Sequence, residues 1–460
     1  MGSWVEEELA YLDLGDARRN RRLVSLVTSL SEHPTESVPE AMGSWAAAKA
    51  AYRFWDSEGV TPDALRQAHG RKAAERVAAY AEVLAIQDTT SLDLTHHPKT
   101  KGLGYLEHPK RYGLMVHSVL TASPEGVPLG LIYQKVWTRD VQQLGSRHQR
   151  RQKETSAKES QRWLTALEET QKALPEDTVV ITVADREADI YEFLAAPRLP
   201  TSHLLIRATH NRRVEHQERY LWEAMRKSPV LGEWPIALHR RDTQAARTAQ
   251  VTARWQPLRV RSPRNGKGPK SGVVMVNGIL VEEPSPPEGI KPLCWLLLTT
   301  LPVASLDDVR RYVRYYTYRW LIERYHFVLK SGCHVEQLQL EEAQRMHRAL
   351  ATYCLVAWRL LWLTYEARRD GEQSCEVAMA SHEWRSLYCY MHRTATPPPT
   401  PPPLREAVFL LARLGGFLGR KGDGAPGVKV IWRGMQHLTH IVAAREIFQA
   451  NLAVEDVGNA

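Results

Sequence analysis

Apolar positions set the order of elements along this chain. Through the first seventy residues they recur at helical spacing, at Leu23, Leu26, Val27 and Leu30, and a second helical pattern carries Trp45, Tyr52, Arg53 and Trp55. Asp16 stands where the first of these helices would be capped. Near residue 80 the period shortens. Val83-Leu84-Ala85-Ile86 is an apolar run ending in Gln87-Asp88-Thr89-Thr90. Residues 114–120 and 127–137 are rich in β-branched and aromatic side chains, and Gly102, Gly104, Gly113 and Gly126 suit turns between them. This predicts three consecutive antiparallel strands. A helix over 155–173 follows, then a buried strand from Val179 to Val183 that stops at Ala184-Asp185-Arg186-Glu187. A helix through Tyr191 and Leu194 and a strand at Leu204-Leu205-Ile206 complete a mixed α/β sheet.

Residues 210–292 break the rhythm. They are polar and basic, with alternating stretches at 250–255 and 273–281 and a turn cluster beginning at Pro263, which reads as a β-rich insertion. A core strand resumes at Trp295–Thr299. A long helical pattern starts near Leu306 and runs past Lys330, and a strongly apolar one covers 351–367. The segment TATPPPTPPP at 394–403 is a stiff, extended spacer. The expected division is a helical unit over 1–70, a sheet domain over 71–370 carrying the insertion, and a helical unit over 371–460 that includes the proline-rich linker 396–403.

Composition narrows the functional classes. The 460 residues suffice for two to four structural units. Lys+Arg 61 against Asp+Glu 52 leaves a net charge of +9, which suits a polyanionic partner. The five cysteines are odd in number and show no C-x-x-C spacing, so neither a disulfide framework nor a zinc knuckle is expected, and a reducing cytosol fits. The N-terminus carries no apolar signal-like run, and no stretch approaches 18 apolar residues, so no membrane span is expected. Arg18, Arg19, Arg21 and Arg22 put four arginines into five positions. That pattern suits either a solvated helix face or phosphate contacts.

Two aspartates, Asp88 and Asp185, are expected at the carboxyl ends of strands, where ligands of open α/β sheets bind. Each alone would also suit a turn or a helix cap. On the helix expected after Leu306, Tyr316, Arg319, Glu323 and Lys330 have offsets of 0, 3, 7 and 14. At about 100° per residue these fall on one narrow stripe, roughly 21 Å long. Solvated faces carry such stripes too. Taken together, Asp88, Asp185 and Glu323 form an oxygen donor set for two Mg2+ or Mn2+ ions, the arrangement that clamps an in-line phosphoryl transfer. Arg319 and Lys330 would hold phosphates and Tyr316 would donate to a phosphate oxygen. No phosphate-cradling Gly-x-x-x-x-Gly-Lys loop is present. His326, beside the face of that stripe, and His117, in a strand, could contribute to the site or serve as packing residues. His437 and His440 share a helix face with no carboxylate or cysteine nearby in sequence, which speaks against zinc there.

Several distinctive blocks follow one another along the chain. They are Leu14-Gly15-Asp16 with its arginines, Ala51-Tyr52-Arg53-Phe54, Ile86-Gln87-Asp88-Thr89-Thr90, Asp185-Arg186-Glu187-Ala188-Asp189 and Trp295-Leu296-Leu297-Leu298-Thr299. After these come Tyr316-(2)-Arg319-(3)-Glu323-(6)-Lys330 and Ala412-Arg413-Leu414-Gly415-Gly416-Phe417. The set resembles cut-and-paste DDE transposases with an RNase H-like core, of the bacterial insertion-sequence type to which the transposase of transposon Tn-five belongs. The resemblance implies that the N-terminal helices grip transposon end DNA at its terminal inverted repeats. The core would nick, form and resolve a hairpin, and join the free 3′ end to target DNA. Trp295 and Trp320 become stacking candidates for a flipped base, although both also suit core packing. The C-terminal unit would pair two protomers, in a bacterial cytoplasm at the nucleoid. Two departures stand out. Phe327 replaces a lysine, and the basic stretch 138–158, with Arg147, Arg150, Arg151 and Lys153, matches only from Lys158 through Trp163. A silent DNA-binding regulator would not need three carboxylates. A nuclease without strand transfer would not need the Tyr316/Arg319/Lys330 row and the arginine helix.

Overall fold

The computed structural model describes residues 4–108, 110–140, 158–238, 247–263 and 272–458. Five helices come first: α1 (Trp4–Glu8), α2 (Ala17–Glu32), α3 (Val38–Met42), α4 (Trp45–Asp56) and α5 (Pro62–Val77). Asp16 caps α2 by accepting from the Arg18 N–H, and Ser44 caps α4 through Ala47. The apolar stripe Leu23, Leu26, Val27 and Leu30 is buried, and Trp55 of α4 donates to Thr352 at 3.2 Å. The N-terminal helices therefore join the main core rather than standing apart from it.

The centre is a ten-stranded mixed sheet. Its strands are β1 (Glu82–Asp93), β2 (Gly104–Tyr105), β3 (Tyr112–Ala122), β4 (Pro128–Trp137), β5 (Val179–Ala184), β6 (Ser202–Arg207), β7 (Val230–Leu238), β8 (Arg247–Arg261), β9 (Val273–Glu282) and β10 (Cys294–Thr299). The order is β2-β3-β1-β5-β6-β10-β9-β8-β7, and β4 also pairs with β3. The antiparallel run β1-β3-β4 is the one expected, but Gly104 and Gly113 lie inside paired strands rather than in turns. At Gly113 an added Cβ would meet the Leu92 carbonyl at 1.8 Å, so the glycine serves close strand approach. β5 and β6 run parallel to β1, and β10 returns antiparallel beside β6. The β-rich stretch does not form a sheet of its own. β7, β8 and β9 extend the central sheet outward, and Pro235 sits on the terminal strand, where a missing donor costs no ladder bond.

Helices cover both faces. α6 (Gln161–Ala173), α7 (Tyr191–Leu194) and α8 (Leu221–Lys227) cover one, with Trp163, Phe193 and Met225 buried. On the other lie α9 (Leu306–Thr317), α10 (Trp320–Phe327) and α11 (Ala343–Arg369). Here the single helix expected past Leu306 is corrected. It breaks at Tyr318 and Arg319, resumes as α10, and widens into a π-turn at Val328–Gly332, where the Cys333 N–H reaches the Val328 carbonyl. A constant 100° step no longer holds over that span, so spacing alone does not fix where Lys330 lies relative to Tyr316.

The last helices are α12 (Ser381–His392), α13 (Leu404–Leu414) and α14 (Val428–Gly458). The polyproline segment does not set them apart as a separate unit. Cys375 donates to the Pro402 carbonyl and Leu404 to that of Gln373. Leu404 and Ala407 share a core with Leu363 and Ala367 of α11. No helix among the described residues is long and apolar enough to cross a membrane.

Candidate active site

The site is built where β1 and β5 lie side by side. Their parallel register pairs Ile86 with Val183, so two residues further on Asp88 and Asp185 face each other across adjacent strands. Asp185 lies just past the end of β5, as expected. Asp88 does not end its strand, because β1 continues to Asp93 against β3, with Asp88 opposite Ser118. The opening arises because β5 stops while β1 goes on.

Both aspartates are partly held by backbone. The Thr89 N–H donates to Asp88 at 2.8 Å, and the Glu187 N–H donates to Asp185 at 2.8 Å, capping the short 3-10 turn Arg186–Ala188. The capping role and a ligand role are compatible, since a carboxylate has four lone-pair sites. Burial first, and then the neighbouring Asp185, push the Asp88 carboxyl up to about 7. Glu323 acts in the same direction, while Thr89 and Arg319 pull it down. The charge on Asp88 is thus opposed both by burial and by the two acidic neighbours at this rim. A divalent ion on oxygen donors would relieve that repulsion.

Glu323, on the first turn of α10, is drawn onto Arg319 in a close ion pair. Burial opposes the charge on Arg319, but Tyr316, Glu323 and Asp88 outweigh it and raise its pKa. Tyr316 is buried and its hydroxyl interacts with Arg207. Burial raises its pKa, and Asp185 adds to the rise. Among the described residues, the His, Cys, Asp or Glu trio whose ligand atoms close to within 4.8 Å is a different one, His33, Glu36 and His440. The Asp88, Asp185 and Glu323 set is looser.

The other expected residues are placed as follows. Lys330 sits on the π-turn, donates to the Ser91 carbonyl at 2.9 Å and lies 3.4 Å from Glu336, so it borders β1 beyond Asp88. Trp295, half-buried on β10, meets Tyr316 edge-on with ring centroids 5.3 Å apart. Trp320 begins α10 with the Arg324 guanidinium over its ring at 5.8 Å. Phe327 is exposed and packs on Trp432. In the N-terminal unit Arg18, Arg21 and Arg22 are exposed. Arg19 is turned inward, donating to the Leu14 carbonyl at 3.2 Å. Most of the basic stretch, 141–157 with Arg147, Arg150, Arg151 and Lys153, lies outside the described residues.

Three side chains escape a reading by spacing. Arg162 on α6 donates to Thr89 at 2.8 Å and pairs with Glu187 at 2.7 Å, tying the residues beside both aspartates together. His117 on β3 meets Thr89 at 2.9 Å and packs against Trp163. His326 lies 4.0 Å from Asp88, but burial and Lys330 push its pKa down to about 3, so it stands neutral there. Only the block from Lys158 to Trp163 hinted at Arg162.

Comparison with known families agrees with this architecture. Residues 1–60 match the transposase DNA-binding model, residues 81–359 the transposase DDE domain, and residues 355–450 the transposase Tn5 dimerisation domain. The DDE match alone spans more than half of the chain and includes the RNase H-like sheet with all three carboxylates. The chain belongs to the Tn5-type DDE transposases, and is a DNA transposase that transfers phosphoryl groups with the help of divalent metal, binds DNA and pairs with a second copy of itself.

Proposed function

We propose that Asp88, Asp185 and Glu323 are the catalytic carboxylates and together hold two Mg2+ ions, or Mn2+ in their place. Bound there, the ions would lower the pKa of an attacking water and neutralise charge building on the phosphate. The protein's own residues do the rest. Arg319 keeps Glu323 in place and offers a planar fork to the phosphate. Tyr316 donates to a phosphate oxygen, and Lys330 holds a phosphate near the cut. Arg162 is a positioning residue that fixes Thr89 and Glu187 so that the two aspartates keep their register. We assign the same site to nicking, to hairpin formation, with Trp295 and Trp320 as stacking faces for an extruded base, and to joining of the 3′ end to target DNA. The end DNA would carry terminal inverted repeats, held by α2 and the exposed Arg18, Arg21 and Arg22, in a two-protomer complex at the bacterial nucleoid.

The observation that carries this reading is the register of β1 on β5, which sets Asp88 against Asp185 at the one edge where Glu323 also acts on Asp88. The test is cleavage of the element's own ends with Mg2+, read on a denaturing gel beside a gel-shift assay. Asp88→Asn, Asp185→Asn and Glu323→Gln should each abolish cleavage while end binding persists. Vigorous cleavage by any of them would overturn the assignment.

A further inference from the structure

The turn that follows α2 meets the last helix of the chain. His33, the C-terminal cap of α2, places Nδ1 3.0 Å from Oε2 of Glu36, yet the pair is out of line for a hydrogen bond and that buried nitrogen has no donor or acceptor partner. From α14, His440 brings Nε2 to 3.8 Å from Oε1 of the same carboxylate. All three ligand atoms lie within 4.8 Å of one another. The imidazole rings stand 6.0 Å apart at 55°, so they converge rather than stack.

The surroundings hold the carboxylate in place. Gln436 donates to Glu36 at 3.1 Å and accepts from Thr35 at 3.0 Å, and Thr439 donates to the Glu32 carbonyl at 3.0 Å. His33 and Glu36 are largely covered, with side-chain exposures of 18% and 15%, while His440 is 62% exposed. Two imidazoles and a carboxylate, with one side open to water, form a ligand set suited to a borderline divalent transition ion. Hard Mg2+, which prefers all-oxygen shells, is poorly served by it. Metal–ligand bonds of about 2.0–2.2 Å require the three atoms to draw slightly closer. His440, on the exposed side, can supply that movement.

We propose that His33, Glu36 and His440 bind a divalent transition metal ion, Zn2+ fitting best, with water as the fourth ligand. The ion would clasp the DNA-binding unit to the helix that ends the dimerisation domain. Helical spacing set His440 beside His437 with no carboxylate in sight, because the carboxylate comes from the opposite end of the chain.

The test uses the full-length protein, stripped with chelator and kept in excess Mg2+, with Co2+ as an absorbing probe and Zn2+ as competitor. One tight site with the visible bands of four-coordinate Co2+ is expected, displaced by Zn2+. His440→Ala should abolish it, and Glu36→Gln should weaken it about tenfold or more. Asp88→Asn/Asp185→Asn should leave it intact, which separates this site from the carboxylate rim. Zn2+ should raise the unfolding temperature of the unaltered chain but not of His440→Ala, a change at an exposed position that spares the fold. Absence of the four-coordinate spectrum, or its persistence in His440→Ala, would overturn the proposal.

Discussion

Arg319 shows how much one side chain carries at the carboxylate rim. It pairs with Glu323 and also lowers the pKa of Asp88 and of the buried Tyr316. Arg319→Ala should therefore slow single-turnover cleavage of end DNA by about 10²–10³-fold, the scale of losing one preorganised donor to a developing anion. Arg319→Lys should recover little, because an ammonium cannot make the fork contact. Near-normal cleavage by Arg319→Ala would leave the residue as a mere partner of Glu323. Asp88, Asp185 and Glu323 were legible as candidates because each stands in a short, distinctive block. Arg162 was not, because its role depends on two contacts, to Thr89 and Glu187, that no spacing along the chain encodes. The same holds for the inward turn of Arg19, which looks identical in sequence to its exposed neighbours.

At the level of elements, a buried carboxylate locks α1 to the core. The Leu131 N–H donates to Nε2 of His69, which leaves the His69 proton on Nδ1, facing Glu8 at 2.6 Å. Arg76 adds two further bonds to Glu8, at 2.8 and 2.9 Å. Burial alone would raise the Glu8 pKa, but His69 and Arg76 outweigh it and hold it at about 2 against an ordinary 4.5. The folded value is the lower one, so the stabilisation is complete above about pH 4.5 and is lost as pH falls towards 2. Denaturant unfolding from about pH 5 down to about pH 2, across that window, should show the decline, and Glu8→Gln should flatten it. The succession of strands near the site was readable from periodicity, but the parallel pairing of β1 with β5 was not. The break between α9 and α10 and the π-turn after it were not, since local backbone bonding rather than apolar spacing sets them. Farther along, α13 and α14 cross with backbones in contact. A Cβ on Gly434 would fall 1.9 Å from the Leu411 carbonyl, and one on Gly415 1.9 Å from that of Val430. Gly434→Ala should cost about 1–3 kcal/mol by overpacking. Thermal unfolding should reveal the loss, and light scattering should show weaker pairing of the two copies.

Across the whole molecule, the +9 charge and the DNA-binding match at residues 1–60 make phosphate neutralisation the main long-range force on the partner. The sequence offered four equivalent arginines, but the fold divides them. Arg18, Arg21 and Arg22 face solvent. Arg19 reaches back to the Leu14 carbonyl, and its guanidinium fills the space where a side chain on Gly59 would lie, 2.4 Å from that position. Phosphate contacts and fold contacts have different signatures in salt. Each phosphate cation contributes about one unit to the slope of log affinity against log salt, whereas a buried structural arginine contributes none. Anisotropy titrations of labelled end DNA at several salt concentrations should accordingly show a steep slope for the unaltered chain. Arg21→Ala and Arg22→Ala should each shallow that slope by about one, with the unfolding temperature unchanged. Arg19→Ala should do the reverse, lowering the unfolding temperature while leaving the slope in place. If all three variants change the slope equally, the inward turn of Arg19 gives way when DNA binds. If none does, the grip on the DNA end lies on another face of the N-terminal helices.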